Sequence, residues 1–460
     1  MASASATLIR PTAAPARLRE RPARADAEVT VTQVGLQVTG RLPEELDGCY
    51  VRIGPNPLRP ADPGTQHAFT GDGMVHGLRL RDGAAQWYRN RWIRTDRVSR
   101  GLGERPVPGP RHGLSDNANA NVIQHHGRVL ALGEAGVLPL ELDAELGTVA
   151  SSDFDGTLPN GFTAHPECDP VTGELFAAAY YHELPYVQYL VVDPAGRVRK
   201  TERIEVSRPA PMMHALSLTD RHAVLYDLPV AFSPLLAGAG SRCPYAWERG
   251  GAARIGVLPR EGRGSDVRWF EIEPCYVFHP LGAYELGDRI VVDAIRHERV
   301  FDRDLPRPAE SAPTLWRWTV DLVRGTVTEQ QLDDRAQEYP RIDERRKTMP
   351  YRYGYTVEAR GGGGTACGSA LFRHDLVRGS VREHRFAPWQ EAGEALFVPR
   401  SPRSAEDDGW LLSLVHDASA DRTDLVVLNA DDFGGEPQAV VRLPVAVPRG
   451  FHGAWLSAQC

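Results

Sequence analysis

The chain has 460 residues, 42% of them hydrophobic, which is ample for a core but exceeds one ordinary domain unless the architecture grows by repetition. A formal net charge of −7 excludes the clustered basic excess of a nucleic-acid surface, and the absence of any run of 18 apolar residues excludes a spanning helix. With 44 glycines, 36 prolines and 8% aromatics, the composition suits a turn-rich, all-β chain.

In chain order, residues 1–28 come first: Ala- and Arg-rich, interrupted by Pro and acidic residues, and without the apolar stretch of a secretory signal. They are expected to form a disordered tail, with residues 29–460 as one domain. Strand-length runs rich in Val, Leu, Tyr and Trp follow, among them "RVLALGE", "ELFAAAYY", "YLVVD", "RIVVDAI", "TLWRWTVD" and "WLLSLVHD". A hairpin signature recurs in "LDAELGTV", "VDPAGRV", "VDLVRGTV" and "HDLVRGSV". In each, Asp can bond the turn backbone and a nearby Gly can take a positive φ. Hairpins repeated without an intervening helical layer predict stacked antiparallel sheets. The 432 residues beyond the tail would make seven blades of a β-propeller, roughly 60 residues each with insertions. A pair of sandwiches is the second reading.

Six dispersed cysteines (Cys49, Cys168, Cys243, Cys275, Cys367, Cys460) include no Cys-x-x-Cys pair and read as free thiols of a reducing compartment, the cytoplasm. "RGGGGTACG", Arg360–Gly368, lacks the Lys and Ser/Thr of a phosphate loop and reads as a flexible connection. "LPVAFSPLLAGAG", Leu228–Gly240, is either an exposed apolar lip that takes substrate from a membrane surface or a buried insertion.

Among 15 histidines, four share a context: His165 in "GFTAHPECDP", His214 in "PMMHALSLT", His279 in "YVFHPLGAYE" and His452 in "GFHGAW". Each follows apolar or small residues and precedes a small residue or Pro, as expected of a side chain entering a dry interior from a strand end. Their spacings of 49, 65 and 173 residues fit no local metal motif. Only a closed architecture can bring such positions together; taken singly, each reads better as a core histidine than as a ligand. His125 and His126 read as a turn, and His222, His297, His374 and His384, set among charges, read as solvated. His67 and His76 flank a Gly-rich hairpin and are minor candidates to line a site.

Eight separated motifs, "YVRIGPNP", "FTGDGMVHG", "FTAHPECDPVTGELF", "MMHALSLT", "VFHPLGAYELGDRIVVD", "EYPRID", "EALFVPR" and "GFHGAW", occur in this order between Leu42 and Trp455. Together they resemble the carotenoid cleavage oxygenase family, which includes lignostilbene dioxygenases and a retinoid isomerase. The resemblance implies a seven-bladed propeller with a cap of loops, and Fe(2+) on four axial imidazoles: His165, His214, His279 and His452. It also implies carboxylates behind three of those rings, at Glu134, Glu338 and Glu394. Such carboxylates fix the tautomer and aim of a ligating ring. The implied reaction takes O2 and an apolar conjugated alkene to two carbonyl products. Phe69, Phe278 and Trp455 are candidates to line the substrate path, with core packing as the competing reading.

Two departures bear on substrate. The lignostilbene branch usually carries Lys directly before the first carboxylate, where this chain has Gly133, which favours a carotenoid or apocarotenoid over a phenolic stilbene. The family's frequent Thr near the metal is Ala120 here. A propeller that only binds partners, with structural histidines, is the reading from another class.

Overall fold

The computed structural model describes residues 25–59, 67, 69–112, 117–303, 305, 310–360 and 367–457. Residues 1–24 of the expected tail and the glycine tract 361–366 lie outside them. Within the expected tail, Ala25 is buried and Glu28 pairs with Arg94.

Among the described residues, seven antiparallel sheets follow one another in the order of the chain, with one short hairpin, Val230–Phe232 with Tyr245–Trp247, between strands of the fourth. This is the seven-bladed propeller expected from the hairpin pattern. The second blade is Asn121–His125, Arg128–Leu132, Leu140–Leu142 and Thr148–Ser151, and the third runs from Glu167–Cys168 to Val198–Ile204. The fourth begins at Leu216–Leu218, the fifth at Pro280–Leu286 and the sixth at Gln337–Arg341, each a four-stranded meander.

The ring closes by exchange at both ends of the chain. The C-terminal strand Gly453–Ser457 pairs with Gly48–Pro55 and forms one edge of the first blade. Near the other end of the chain, Gln37–Gly40, the second strand, pairs with Ala439–Arg442 at an edge of the seventh. Neither of these blades is complete without residues from the opposite end of the sequence.

The hairpins form as their composition requires. Asp143 Oδ1 accepts from the backbone N–H of Glu145 and Gly147, Asp193 Oδ1 from Ala195 and Arg197, and Asp321 Oδ1 from Val323 and Arg324. Gly196, Gly325 and Gly379 take the left-handed conformation, but in the first hairpin Leu146 does so at φ 63° and Gly147 does not. Leu146 is buried, so its packing offsets the backbone strain.

Cores lie between neighbouring blades. The largest joins Phe176, Tyr189, Leu225, Ile255, Val292 and Trp318 of the third to fifth blades. The 228–240 segment divides between its two expected readings: Leu228 and Val230 are buried, whereas Leu235 on the short helix Pro234–Gly238 is 82% exposed. Cys49, Cys168, Cys243, Cys275 and Cys367 are free thiols; burial raises that of Cys275 to about 12. No helix among the described residues is long and apolar enough to cross a membrane.

Candidate metal centre

Four blades begin in the same way. His165 lies two residues before Glu167–Cys168, His214 two before Leu216–Leu218, His279 one before Pro280–Leu286 and His452 one before Gly453–Ser457. Ala120 holds the corresponding place in the second blade, directly before Asn121–His125, and its carbonyl accepts from the His452 N–H at 3.2 Å. Entry from equivalent strand ends brings residues up to 287 positions apart, His165 and His452, to a ring-centroid separation of 4.8 Å. Four further pairs stand at 4.1 Å (His165–His214), 5.5 Å (His165–His279), 5.3 Å (His214–His279) and 4.7 Å (His279–His452).

Glutamates lie behind three of these rings. His279 Nδ1 donates to Glu338 Oε2 at 2.6 Å, and His452 Nδ1 donates to Glu394 Oε1 at 2.9 Å. Those two bonds settle the tautomers, because each ring's other nitrogen, Nε2, is left with a lone pair. The two Nε2 atoms face each other at 3.1 Å. Two lone pairs at that distance repel unless a shared proton or a metal cation lies between them. Nitrogens bound at right angles to one ion, with metal–nitrogen bonds of ~2.1 Å, are about 3 Å apart.

On the opposite side, Glu134 lies between strands Arg128–Leu132 and Leu140–Leu142. Its Oε1 is 3.3 Å from His165 Nε2 and its Oε2 is 3.6 Å from His214 Nδ1. Glu134 Oε1 and His214 Nδ1 are both buried without a hydrogen-bond partner, a cost that a bound cation would relieve by reorienting both groups. Ligand atoms of His165, His279 and His452 lie within 4.8 Å of one another, as do those of Glu134, His165 and His214. This donor set of neutral imidazoles fits a divalent transition metal.

Each carboxylate is itself held. Tyr180 donates its hydroxyl to Glu134 Oε2 at 2.7 Å. Glu394 takes Arg341 Nε at 2.7 Å and the Gly453 N–H at 2.8 Å. Glu338 takes the Tyr339 N–H at 2.6 Å and His297 Nε2 at 2.8 Å. Tyr339 adopts a left-handed φ of 52°, strained for an aromatic residue, and its ring stacks on His279 at 5.4 Å.

Burial opposes ionisation of Glu338, yet His279 and His297 hold its carboxyl well below the ordinary range; for Glu394, Arg341 and His452 overcome burial in the same way. Burial also lowers His452 to about 4, against the pull of Glu394. His165 is driven well below its usual value by burial and then by the charges of His214, His452 and His279. Neutral imidazoles and ionised carboxylates are the forms a cation needs.

Phe278 packs against His214 at 5.3 Å and so adjoins the imidazoles, whereas Phe69 packs on Phe278 at 5.8 Å, one ring further out. Trp455 does not: it packs over Gly48 in the core shared by the first and seventh blades. His67 accepts from the Phe69 N–H at 3.2 Å, and His76 bonds Tyr88 away from the centre at 2.8 Å. At Gly133 a Cβ would meet the Asn117 carbonyl oxygen at 2.3 Å, so backbone packing excludes a side chain there.

Several histidines expected to be solvated are buried. His374 lies against Thr356, and His384 bonds the Phe433 carbonyl. His222 is half-buried against Glu285, and His125 is buried on the carbonyl of Asp193, leaving only His126 exposed in the turn. His297 is fully buried. Their charged neighbours point the other way along each strand, which reading the sequence by local composition alone misses.

A family described as retinal pigment epithelial membrane protein matches residues 23–457. A carotenoid cleavage oxygenase of Mycobacterium tuberculosis is 45% identical over 94% of this chain and 96% of its own. An isoeugenol monooxygenase of Pseudomonas nitroreducens is 32% identical over 95% and 96%. Among solved structures, the cobalt-substituted apocarotenoid oxygenase of Synechocystis superposes with a TM-score of 0.83 at 27% identity, covering 95% of this chain and 98% of that one. A propeller with this ordered set of axial imidazoles, matched along nearly its whole length, therefore belongs to the retinal pigment epithelial membrane protein family, the carotenoid oxygenases.

Proposed function

We propose that the chain is an iron(II)-dependent dioxygenase that cleaves one C=C bond of a carotenoid or apocarotenoid. O2 is consumed, one oxygen atom goes to each carbon of the broken bond, and two carbonyl products leave. The observation that carries this reading is the pair of bare Nε2 atoms of His279 and His452, 3.1 Å apart with both Nδ1 hydrogens committed to carboxylates. His165, His214, His279 and His452 would hold the metal. Ferrous iron, when bound by four neutral imidazoles, supplies open coordination positions suited to O2.

The chain's own part is positional. Glu338 and Glu394 fix the rings of His279 and His452 and balance a dication whose direct ligands are uncharged. Phe278 lies beside the imidazoles and Phe69 behind it, an apolar wall along which a conjugated substrate would lie with water excluded. Glu134, with its looser approach to His214, would close on that ring when the metal is held.

Gly133 favours a polyene over a phenol, since no side chain can stand there to bind a hydroxyl. The isoeugenol monooxygenase relative, 32% identical, supports a second reading, cleavage of a phenylpropenoid or lignostilbene side chain. The deciding experiment incubates the iron-loaded protein and O2 with an apocarotenal and with a hydroxystilbene in parallel. Mass spectrometry should show paired aldehydes from the apocarotenal. Products from the stilbene alone would establish the second reading. A fully stable protein that takes up no iron would instead favour a propeller that only binds partners.

A further inference from the structure

We propose that His297 is a positioning residue of the metal centre, fixing the carboxylate of Glu338 so that Glu338 can aim His279. The inference rests on the metal-centre reading and extends it to a residue that touches no ligand atom.

Of the three carboxylates, Glu338 alone is hydrogen-bonded to an imidazole through each oxygen; the imidazoles beside Glu134 stand 3.3 and 3.6 Å away without such bonds. His279 Nδ1 is on Oε2 at 2.6 Å and His297 Nε2 is on Oε1 at 2.8 Å. Both imidazoles come from the fifth blade, which brackets the carboxylate from both ends of one hairpin: His279 directly precedes Pro280–Leu286 and His297 directly follows Arg289–Arg296. The bracket is rigid. Tyr276 and His297 exchange two backbone hydrogen bonds of 2.8 Å, so His297 is tied to the segment that carries His279. Phe278, next to His279, packs edge-on to the His297 ring at 5.1 Å.

His297 is fully buried, and its Nδ1 has no partner. An orphaned ring nitrogen in a dry interior is a cost that an apolar side chain of similar shape would avoid. Packing alone therefore does not account for an imidazole here; the bond from Nε2 to Glu338 does. Without that donor, Glu338 Oε1 would be buried and unsatisfied, the carboxylate could turn about its side-chain torsions, and His279 would lose its fixed aim.

The test compares two amides of different reach. In His297→Gln the amide nitrogen stands near the position of Nε2, whereas in His297→Asn it stops short. Iron(II) affinity is measured anaerobically by competition with a chromophoric chelator for the full chain and both variants, and the melting of each metal-free protein is recorded alongside. The expected result is wild-type affinity for Gln and a loss of about 10–100-fold for Asn, with metal-free melting alike in the two. Asn binding iron as tightly as wild type overturns the proposal, as does Gln binding as weakly as Asn. If the Asn chain fails to fold, His297→Leu takes its place: the same loss supports the proposal and wild-type affinity overturns it. Failure of the wild-type chain to bind iron overturns the metal-centre reading itself, and the inference with it, which separates the two failures.

Discussion

Arg341 in the sixth blade donates Nε to Glu394 in the seventh at 2.7 Å, and Nη2 to the carbonyl of Gly453, the residue after His452, at 3.0 Å. One guanidinium thus ties together the carboxylate behind His452, a proposed metal ligand, and the strand that delivers it. Replacing it with Leu leaves Glu394 buried without its cation. Breaking such a pair costs about 3–5 kcal/mol, and urea unfolding of the metal-free Arg341→Leu chain should show a loss of that order. An unchanged midpoint would mean that Glu394 is stabilised elsewhere.

Glu394→Gln keeps the shape and removes the charge. Its amide can still meet one neighbour, but it no longer makes His452 Nε2 a stronger base. Iron affinity is expected to fall by about 10–100-fold, read by chelator competition. Full affinity in this variant would remove Glu394 from the metal-holding set.

His214→Ala takes away a ring whose Nδ1 has no partner in the metal-free chain. The fold therefore loses little, while iron binding and alkene cleavage should both disappear. Circular dichroism and metal analysis on one preparation check the two halves together. Retained turnover would exclude His214 from the ligands.

Gly133→Ala tests the backbone packing beside Glu134. The added methyl meets the Asn117 carbonyl oxygen at 2.3 Å, and overpacking of this kind costs about 1–3 kcal/mol. A lowered melting temperature is expected. If the variant melts like wild type, the Gly133–Asn117 approach is readily relaxed and backbone packing does not bar a side chain at this position.

Acid should destabilise the metal-free protein partly through His76. Burial, and then the charge of Arg52, lowers its imidazole from 6.5 to about 3. The unfolded chain therefore binds this proton more tightly across that interval. The stabilisation is fully present above pH 6.5 and falls as the pH drops toward about 3. Denaturant midpoints for wild type and His76→Asn, whose amide can still meet Tyr88, should diverge in slope below neutrality, with the variant's fall shallower. Parallel curves would locate the acid sensitivity in other groups.

The blades were legible in the sequence because Asp-turn-Gly hairpins impose their geometry locally, as Asp193 and Asp321 show. The axial histidines were legible through motif order. Spacing alone could not have found them, since their convergence is a property of the closed ring. Glu394 reads locally as a surface residue: three positions earlier Glu391 pairs with exposed Arg449 at 2.6 Å, while Glu394 itself is buried. His297 was missed for a related reason. Its neighbours Arg296 and Glu298 are charged, but the strand that it extends is buried on both faces from Ile290 to Ile295, and that largely apolar run was the signal available. Arg341 and Tyr180 carry no comparable local signature, because their partners come from other blades or from distant loops.

Exchange of strands between the two ends of the chain also orders events during synthesis. Until residues 452–457 have been made, the first blade lacks an edge strand and the proposed centre lacks an imidazole, so a truncated product could not shut its ring and, on the proposed function, could not hold a metal on all four rings. On the function proposed above, premature termination and loss of the metal site would be the same defect.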